Sequence, residues 1–217
     1  MASIDVLFEG VLSDAPGVPL ELARQHLMRS AIDLCKRSLA WSVWSDPILL
    51  VEDQHTYSIT LPADSVLVIV RDIQIDGVPD GLPGLDFREI TRRFPSWRDQ
   101  KSTPDCWVIP ERGADSVRLV PMPGPMDGDV YLHIRAAFQP TRESRVLPDW
   151  LIEERFDDLC AGAKATLLVI PGQEWSNPSL AAFYKATFDK ACDDERINTE
   201  MDQTTGSTRV APRRFGR

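Results

Sequence analysis

A chain of 217 residues that is 43% hydrophobic and 26% charged holds enough apolar surface to fold without disulfides, as one large domain or two small ones. Its formal charge of −9 argues against general nucleic-acid binding, because a duplex repels such a surface. Residues 1–10 lack a basic region and a long apolar run, and no apolar stretch nears the roughly 20 residues of a membrane span, so the expectation is a soluble, unexported protein with no membrane contact.

Between about Leu20 and Leu39, apolar residues recur at three- and four-residue spacings (Leu20, Ala23, Leu27, Ala31, Leu34, Cys35), which predicts a helix with one buried face. Pro19 suits its first turn, and Pro47 stops any continuation beyond Trp44 and Asp46. From Ile48 the pattern becomes strand-like. Ile48 to Val51, Tyr57 to Leu61, Val66 to Val70, Ile73 to Ile75, Trp107 to Ile109, Val117 to Val120 and Val130 to Phe138 are the expected strands. Asp76-Gly77 and Asp127-Gly128 are turn dipeptides between them, and Asp86 to Trp97 reads as a short helix or an irregular loop. Helical spacing returns after Pro148 with Leu151, Ile152, Phe156, Leu159, Ala163, Leu167 and Ile170, and Pro171-Gly172 ends it. Asn177-Pro178 then caps a last helix with Leu180, Phe183, Tyr184, Phe188, Ala191 and Cys192 on its apolar stripe.

The order helix, strands, two helices, tail excludes regular helix–strand alternation and predicts an α+β fold. Its expected form is a small antiparallel helical bundle, made of the N-terminal helix and two C-terminal helices, with an inserted antiparallel β domain and an extended C-terminal arm. The expected boundaries are 1–46 for the N-terminal segment and first helix, 47–147 for the β domain, 148–200 for the C-terminal helices and 201–217 for the arm. The arm has Arg209, Arg213, Arg214 and Arg217 and no acid from Gln203 onward, so it carries +4 and leaves −13 for the remainder.

Catalytic signatures are missing: no phosphate-binding glycine loop, nucleophile elbow, H-E-x-x-H or calcium loop is present. His26, His55 and His133 fall in three different elements and read as structural. Glu153-Glu154, Asp157-Asp158 and Asp193-Asp194-Glu195 read as solvated helix faces rather than acid/base pairs. Cys35, Cys160 and Cys192 read as buried helix residues, and the cysteine spacing suggests neither a zinc site nor a disulfide framework. No catalytic residue, metal ligand or cofactor is expected. Trp41 and Trp44 at the end of the first helix and Trp150 at the start of the second predict a shared aromatic cluster at the bundle's end, ahead of a sugar-stacking platform.

One ordered set of segments is more informative. Leu34-Cys35-Lys36-Arg37-Ser38-Leu39-Ala40-Trp41 is followed by Tyr57-Ser58-Ile59-Thr60-Leu61-Pro62 and by Pro148-Asp149-Trp150-Leu151. Next come Leu159-Cys160-Ala161-Gly162-Ala163-Lys164-Ala165 and Trp175-Ser176-Asn177-Pro178-Ser179-Leu180-Ala181, and the set closes on Arg209-Val210-Ala211-Pro212-Arg213-Arg214-Phe215-Gly216. From about Pro19 to the C-terminus, and least over Pro79 to Asp105, the chain resembles the head-to-tail adaptor (connector) proteins of tailed bacteriophages, including the tail tubular proteins of short-tailed phages.

The resemblance implies a non-enzymatic virion protein of the neck, assembled in the host cytoplasm. It implies a homo-oligomeric ring, usually dodecameric, beneath the portal protein and above the tail nozzle or other tail proteins. The helical bundle would form the wall, the β domain would face outward or toward the tail, and genomic DNA would pass through the channel without specific binding. It also implies a portal-binding arm of Arg209, Val210, Arg213, Arg214, Phe215 and Arg217; a solubilising tail and a phosphate-contacting arm are the other readings of the same residues. Trp41, Trp150, Gly162, Ala163, Trp175 and Phe183 are the expected packing residues of the bundle or between subunits. The small patch at Gly162 reads first as packing within the subunit and second as a seat for a neighbour's backbone. The competing function is a tail-associated binding module whose β domain recognises a fibre, receptor or carbohydrate, with exposed Trp97 and Trp107 as its platform.

Overall fold

The computed structural model describes residues 1–126 and 128–201, which form an α+β fold of six helices and several short sheets, mostly antiparallel. In chain order, β1 (Ala2–Ser3), a 3-10 turn (Ile4–Leu7), α1 (Phe8–Leu12) and α2 (Leu20–Ser38) come first. Next are β2 (Ser42–Trp44), β3 (Ile48–Leu49), β4 (Thr56–Ser58), β5 (Ser65–Ile75), α3 (Phe87–Arg93), β6 (Lys101–Ser102) and β7 (Cys106–Val108). The chain continues through β8 (Ser116–Val120), β9 (Met122–Pro123), β10 (Tyr131–Pro140) and β11 (Val146–Leu147), then α4 (Asp149–Glu154), α5 (Phe156–Leu167) and α6 (Pro178–Glu200). Two compact units result: a helical unit of Met1–Ala40 with the described residues from Arg142 onward, and a β unit of Trp41–Thr141. The β unit thus starts before the expected Pro47 and ends before the expected Leu147.

In the helical unit, α5 touches α1, α2, α4 and α6. Small residues allow this: Ala161, Gly162, Ala163 and Ala165 are all buried, and a helix of such narrow girth admits neighbours on several sides. A methyl group at Gly162 would lie 2.1 Å from Ser30 Oγ and 2.8 Å from Phe188, so the α2 and α6 side chains already fill that space. α2 ends where Leu39 takes a left-handed backbone (φ 57°), a conformation a non-glycine residue adopts only when its surroundings impose it. Ahead of α2, Ile4, Leu7 and Val11 are fully buried, and β1 pairs antiparallel with β11.

The expected single helix after Pro148 is two. Arg155 leaves helical geometry (φ −120°, ψ 24°) between α4 and α5, and its guanidinium turns to Glu195 and Asp158. No proline or glycine marks this break; a tertiary ion pair accompanies it.

In the β unit, β10 is the central strand of a four-stranded sheet, with β5 on one side and β2 and β3 on the other. The two strands expected at Val66 to Val70 and Ile73 to Ile75 are one: the ladder shifts register at Arg71, between the Val70–Ala136 and Asp72–Arg135 pairs, without ending, and Asp72 faces Arg135 at 3.8 Å. Ile73, Ile75, Leu132 and Ile134 line the buried face. A three-stranded sheet runs β4-β8-β7, and β6 pairs with β9 in parallel. The segment left open between helix and loop contains α3, capped by Asp86 on the Glu89 amide at 2.7 Å. Its Ile90 joins Trp97, Cys106, Val108 and Val120 in a core cluster.

Candidate functional site

The helical unit's polar cluster is built from three elements. Asp14 follows α1, Lys164 lies on α5 and Tyr184 on α6; Lys164 Nζ meets the Asp14 carboxylate, and the Tyr184 hydroxyl donates to the same carboxylate at 2.7 Å. Ser13 Oγ is 3.4 Å from Lys164 Nζ. A lysine, a tyrosine and a serine at such distances invite a reading as a base and a nucleophile, but a lysine base needs a lowered pKa. Burial does pull Lys164 down, yet its hydrogen bond and attraction to Asp14 outweigh that, and its pKa is raised. Asp14 is held below the usual carboxylate range by its hydrogen bonds to Lys164 and Tyr184. Tyr184, donating to that carboxylate, is raised. The three shifts favour a charged Asp14–Lys164 pair beside a neutral Tyr184, and the cluster joins the segment after α1 to α5 and α6.

The histidines also have partners. His26 Nδ1 is 2.6 Å from Thr166 Oγ1, which joins α2 to α5, and burial followed by repulsion from Arg29 lowers its pKa. His55 Nε2 is 2.8 Å from Arg118, and His133 Nε2 is 3.2 Å from Asp76. The four cysteines are free and buried. Burial raises Cys35 to about 12 and Cys106, Cys160 and Cys192 to about 11, far from the thiolate that chemistry requires at neutral pH. Among the described residues, no group of three potential ligands could hold a metal ion. In the same residues, no helix is long and apolar enough to cross a membrane.

Several expected placements change. Glu195 does not share a solvated face with Asp193 and Asp194; it is buried and paired with Arg155. Trp41 belongs to the β unit rather than the bundle, and its ring meets Phe138 edge-on at 6.3 Å. Trp44 sits on β2, while Trp150 sits partly buried on α4 of the helical unit. Ala163 is buried with Gly162 on α5, and Trp175 is partly buried in the loop before α6. Trp97 and Trp107 are 8% and 9% exposed, so they form no platform: the Arg98 and Arg118 guanidiniums both lie over the Trp97 ring, at 5.2 and 5.3 Å from its centroid, and Trp107 Nε1 donates to the Leu82 carbonyl at 2.9 Å. The proposed arm, Arg209, Val210, Arg213, Arg214, Phe215 and Arg217, lies outside the described residues, as does Asp127 of the Asp127-Gly128 turn.

Phe183 faces out. The buried register of α6 runs Ala181, Phe188, Cys192, Glu195 and Thr199, at three-, four- and seven-residue steps. Phe183, Lys190 and Ile197 recur every seven residues on the opposite side, with Phe183 63% and Ile197 55% exposed. The sequence stripe placed Phe183 inside because it adjoins Tyr184; the buried faces of α2 and α5 select a different register.

A second surface lies on the β unit, where Trp44 stands on a strand and not at a helix end. On the outer face of the four-stranded sheet, alternation brings Trp44 of β2, Arg135 and His133 of β10 and Asp72 and Gln74 of β5 to the same side. Asp76 follows β5 in that alternation and meets His133, and the turn closes with Gly77 at φ 81°. A cleft of about 410 Å³ is lined by Trp44, Gln74, Asp76, Val78, Pro79 and His133. The sequence signal was the alternation of His133 and Arg135 in a strand; Trp44 was obscured by its apparent position at a helix end.

Comparison with known proteins gives no match to any protein-family model and none among the curated proteins.

Proposed function

We propose that this chain is a structural virion protein, a head-to-tail adaptor whose copies form a ring beneath the portal, join capsid to tail and continue the DNA channel. The observation that carries the reading, beside the ordered sequence resemblance, is the outward stripe of α6. A 23-residue helix packs one face within its own unit and leaves Phe183, Lys190 and Ile197 opposite. Apolar side chains exposed at a seven-residue repeat suit packing against another helix. On this reading the helical unit is a small antiparallel bundle forming the ring wall, α6 meets the neighbouring copy, and the arm holding Arg213, Arg214 and Phe215 reaches the portal. The partners are the portal protein, the tail nozzle or other tail proteins, and copies of the chain itself.

The role needs no catalytic group and no cofactor. The acidic balance of the body favours passage of DNA without adhesion. Phe183→Lys with Ile197→Lys tests the stripe. The expected result is a doubly substituted chain that keeps its thermal unfolding midpoint but fails to form rings on portal particles in electron micrographs. Rings of normal copy number from a folded double variant would remove α6 from the interface.

A further inference from the structure

We propose that the Trp44 cleft of the β unit is a glycan-binding site, independent of the adaptor role. A sugar ring has an apolar C–H face and a rim of hydroxyls, so its receptor needs an open aromatic surface beside fixed polar groups. Trp44 is 42% exposed, and next to it stand the Gln74 amide, the Asp76 carboxylate and the His133 ring, which can donate to and accept from hydroxyls.

The scaffold is rigid where the site requires it. The reverse face of the same strands is closed by Ile73, Ile75, Leu132 and Ile134, all buried, so Gln74 and His133 project from a fixed lattice of backbone hydrogen bonds. Asp76 is held on both sides: its amide donates to the Tyr131 carbonyl at 3.0 Å, and its carboxylate meets His133 at 3.2 Å. Arg135 lies over the Trp44 ring at 5.9 Å from its centroid, which orients the indole.

Charge selects a neutral ligand. Asp72 and Asp76 repel phosphates and carboxylates, and they face Arg135 and His133, which leaves little attraction for a cation. The cleft's volume of about 410 Å³ falls within the range of small-molecule sites.

The test uses the full chain labelled with nitrogen-15, titrated separately with cellotetraose, maltotetraose, chitotetraose and mannotetraose. The indole N–H signals of the six tryptophans are observed by NMR, with Trp44 assigned through Trp44→Phe. The expected result is a saturable shift of the Trp44 signal with at least one tetraose while those of buried Trp97 and Trp107 stay in place. Asp76→Ala should weaken the response about tenfold, and Gln74→Ala should weaken it with unchanged thermal unfolding. A Trp44 signal that no tetraose moves, or a response of equal affinity in Asp76→Ala and Gln74→Ala, would overturn the assignment.

Discussion

The guanidinium of Arg155 closes on the carboxylate of Glu195, 40 positions further along the chain, and Glu195 is only 2% exposed. This pair sits where α4 gives way to α5, and it ties that junction to the end of α6. A buried charge that loses its partner is costly, whereas an apolar pair of similar volume can replace both. Glu195→Ala should therefore lower stability by about 3 kcal/mol, while Arg155→Met with Glu195→Leu should stay within about 1 kcal/mol of the parent. Urea unfolding of the three chains checks both statements, and equal losses in the single and double variants would contradict the pairing.

Gly162 is set by close approach. A methyl group there meets Ser30 Oγ and Phe188 at distances no side chain tolerates, so Gly162→Ala should cost about 2 kcal/mol by overpacking. Ser30 Oγ is buried without a hydrogen-bond partner among the described protein atoms. Removing an unsatisfied hydroxyl is neutral or favourable, so Ser30→Ala should hold or raise the melting temperature. It should also recover part of the Gly162→Ala loss, a non-additivity that a double-mutant cycle measures.

The Asp14 cluster gives stability a defined acid limb. Because the folded carboxyl is held below its ordinary 3.8, its stabilising effect is complete above that value and is lost as pH falls through the lower folded pKa. Lys164, raised above 10.5, contributes below that value and loses its effect as pH rises through the folded pKa. Asp14→Asn should therefore be less stable than the parent at pH 7, with the gap narrowing below pH 3.8. Denaturant midpoints across pH 2 to 7 give the comparison; a gap that widens in acid would reverse the assignment.

His26 adds a separate step. Its folded pKa is below 6.5 through burial and Arg29, so the neutral ring is favoured in the folded state. The stability this gives is present above 6.5 and declines as pH falls through the folded value. His26→Gln, which can still reach Thr166, should flatten the stability profile on the acid side of pH 6.5. An unchanged slope would mean that the ring titrates alike in folded and unfolded chains.

Much of the α+β order was legible because it rests on local signals. Asn177-Pro178 opens α6 as its cap and first-turn residues require, and the Leu27, Ala31, Leu34, Cys35 stripe of α2 is buried as its period demands. What escaped was set by tertiary structure. Arg155 breaks a helix that its own sequence would continue, and Leu39 adopts a left-handed cap usually given to glycine. Ile4, Leu7 and Val11 did carry a helical spacing, over a stretch too short to stand out beside Gly10. The candidate surfaces were harder still. Whether Phe183 faces in or out depends on which neighbours claim α6, and the Trp44 cleft depends on strand register between segments more than 90 residues apart, as Trp44 and Arg135 are.

The adaptor reading is tested most directly by mixing the full chain, and a version ending at Met201, with portal rings encoded by the same genome and imaging both by electron microscopy after co-sedimentation. A stoichiometric collar on the portal with the full chain, absent with the shortened one, is the predicted result. Failure of the folded full chain to associate with the portal at all would contradict the account.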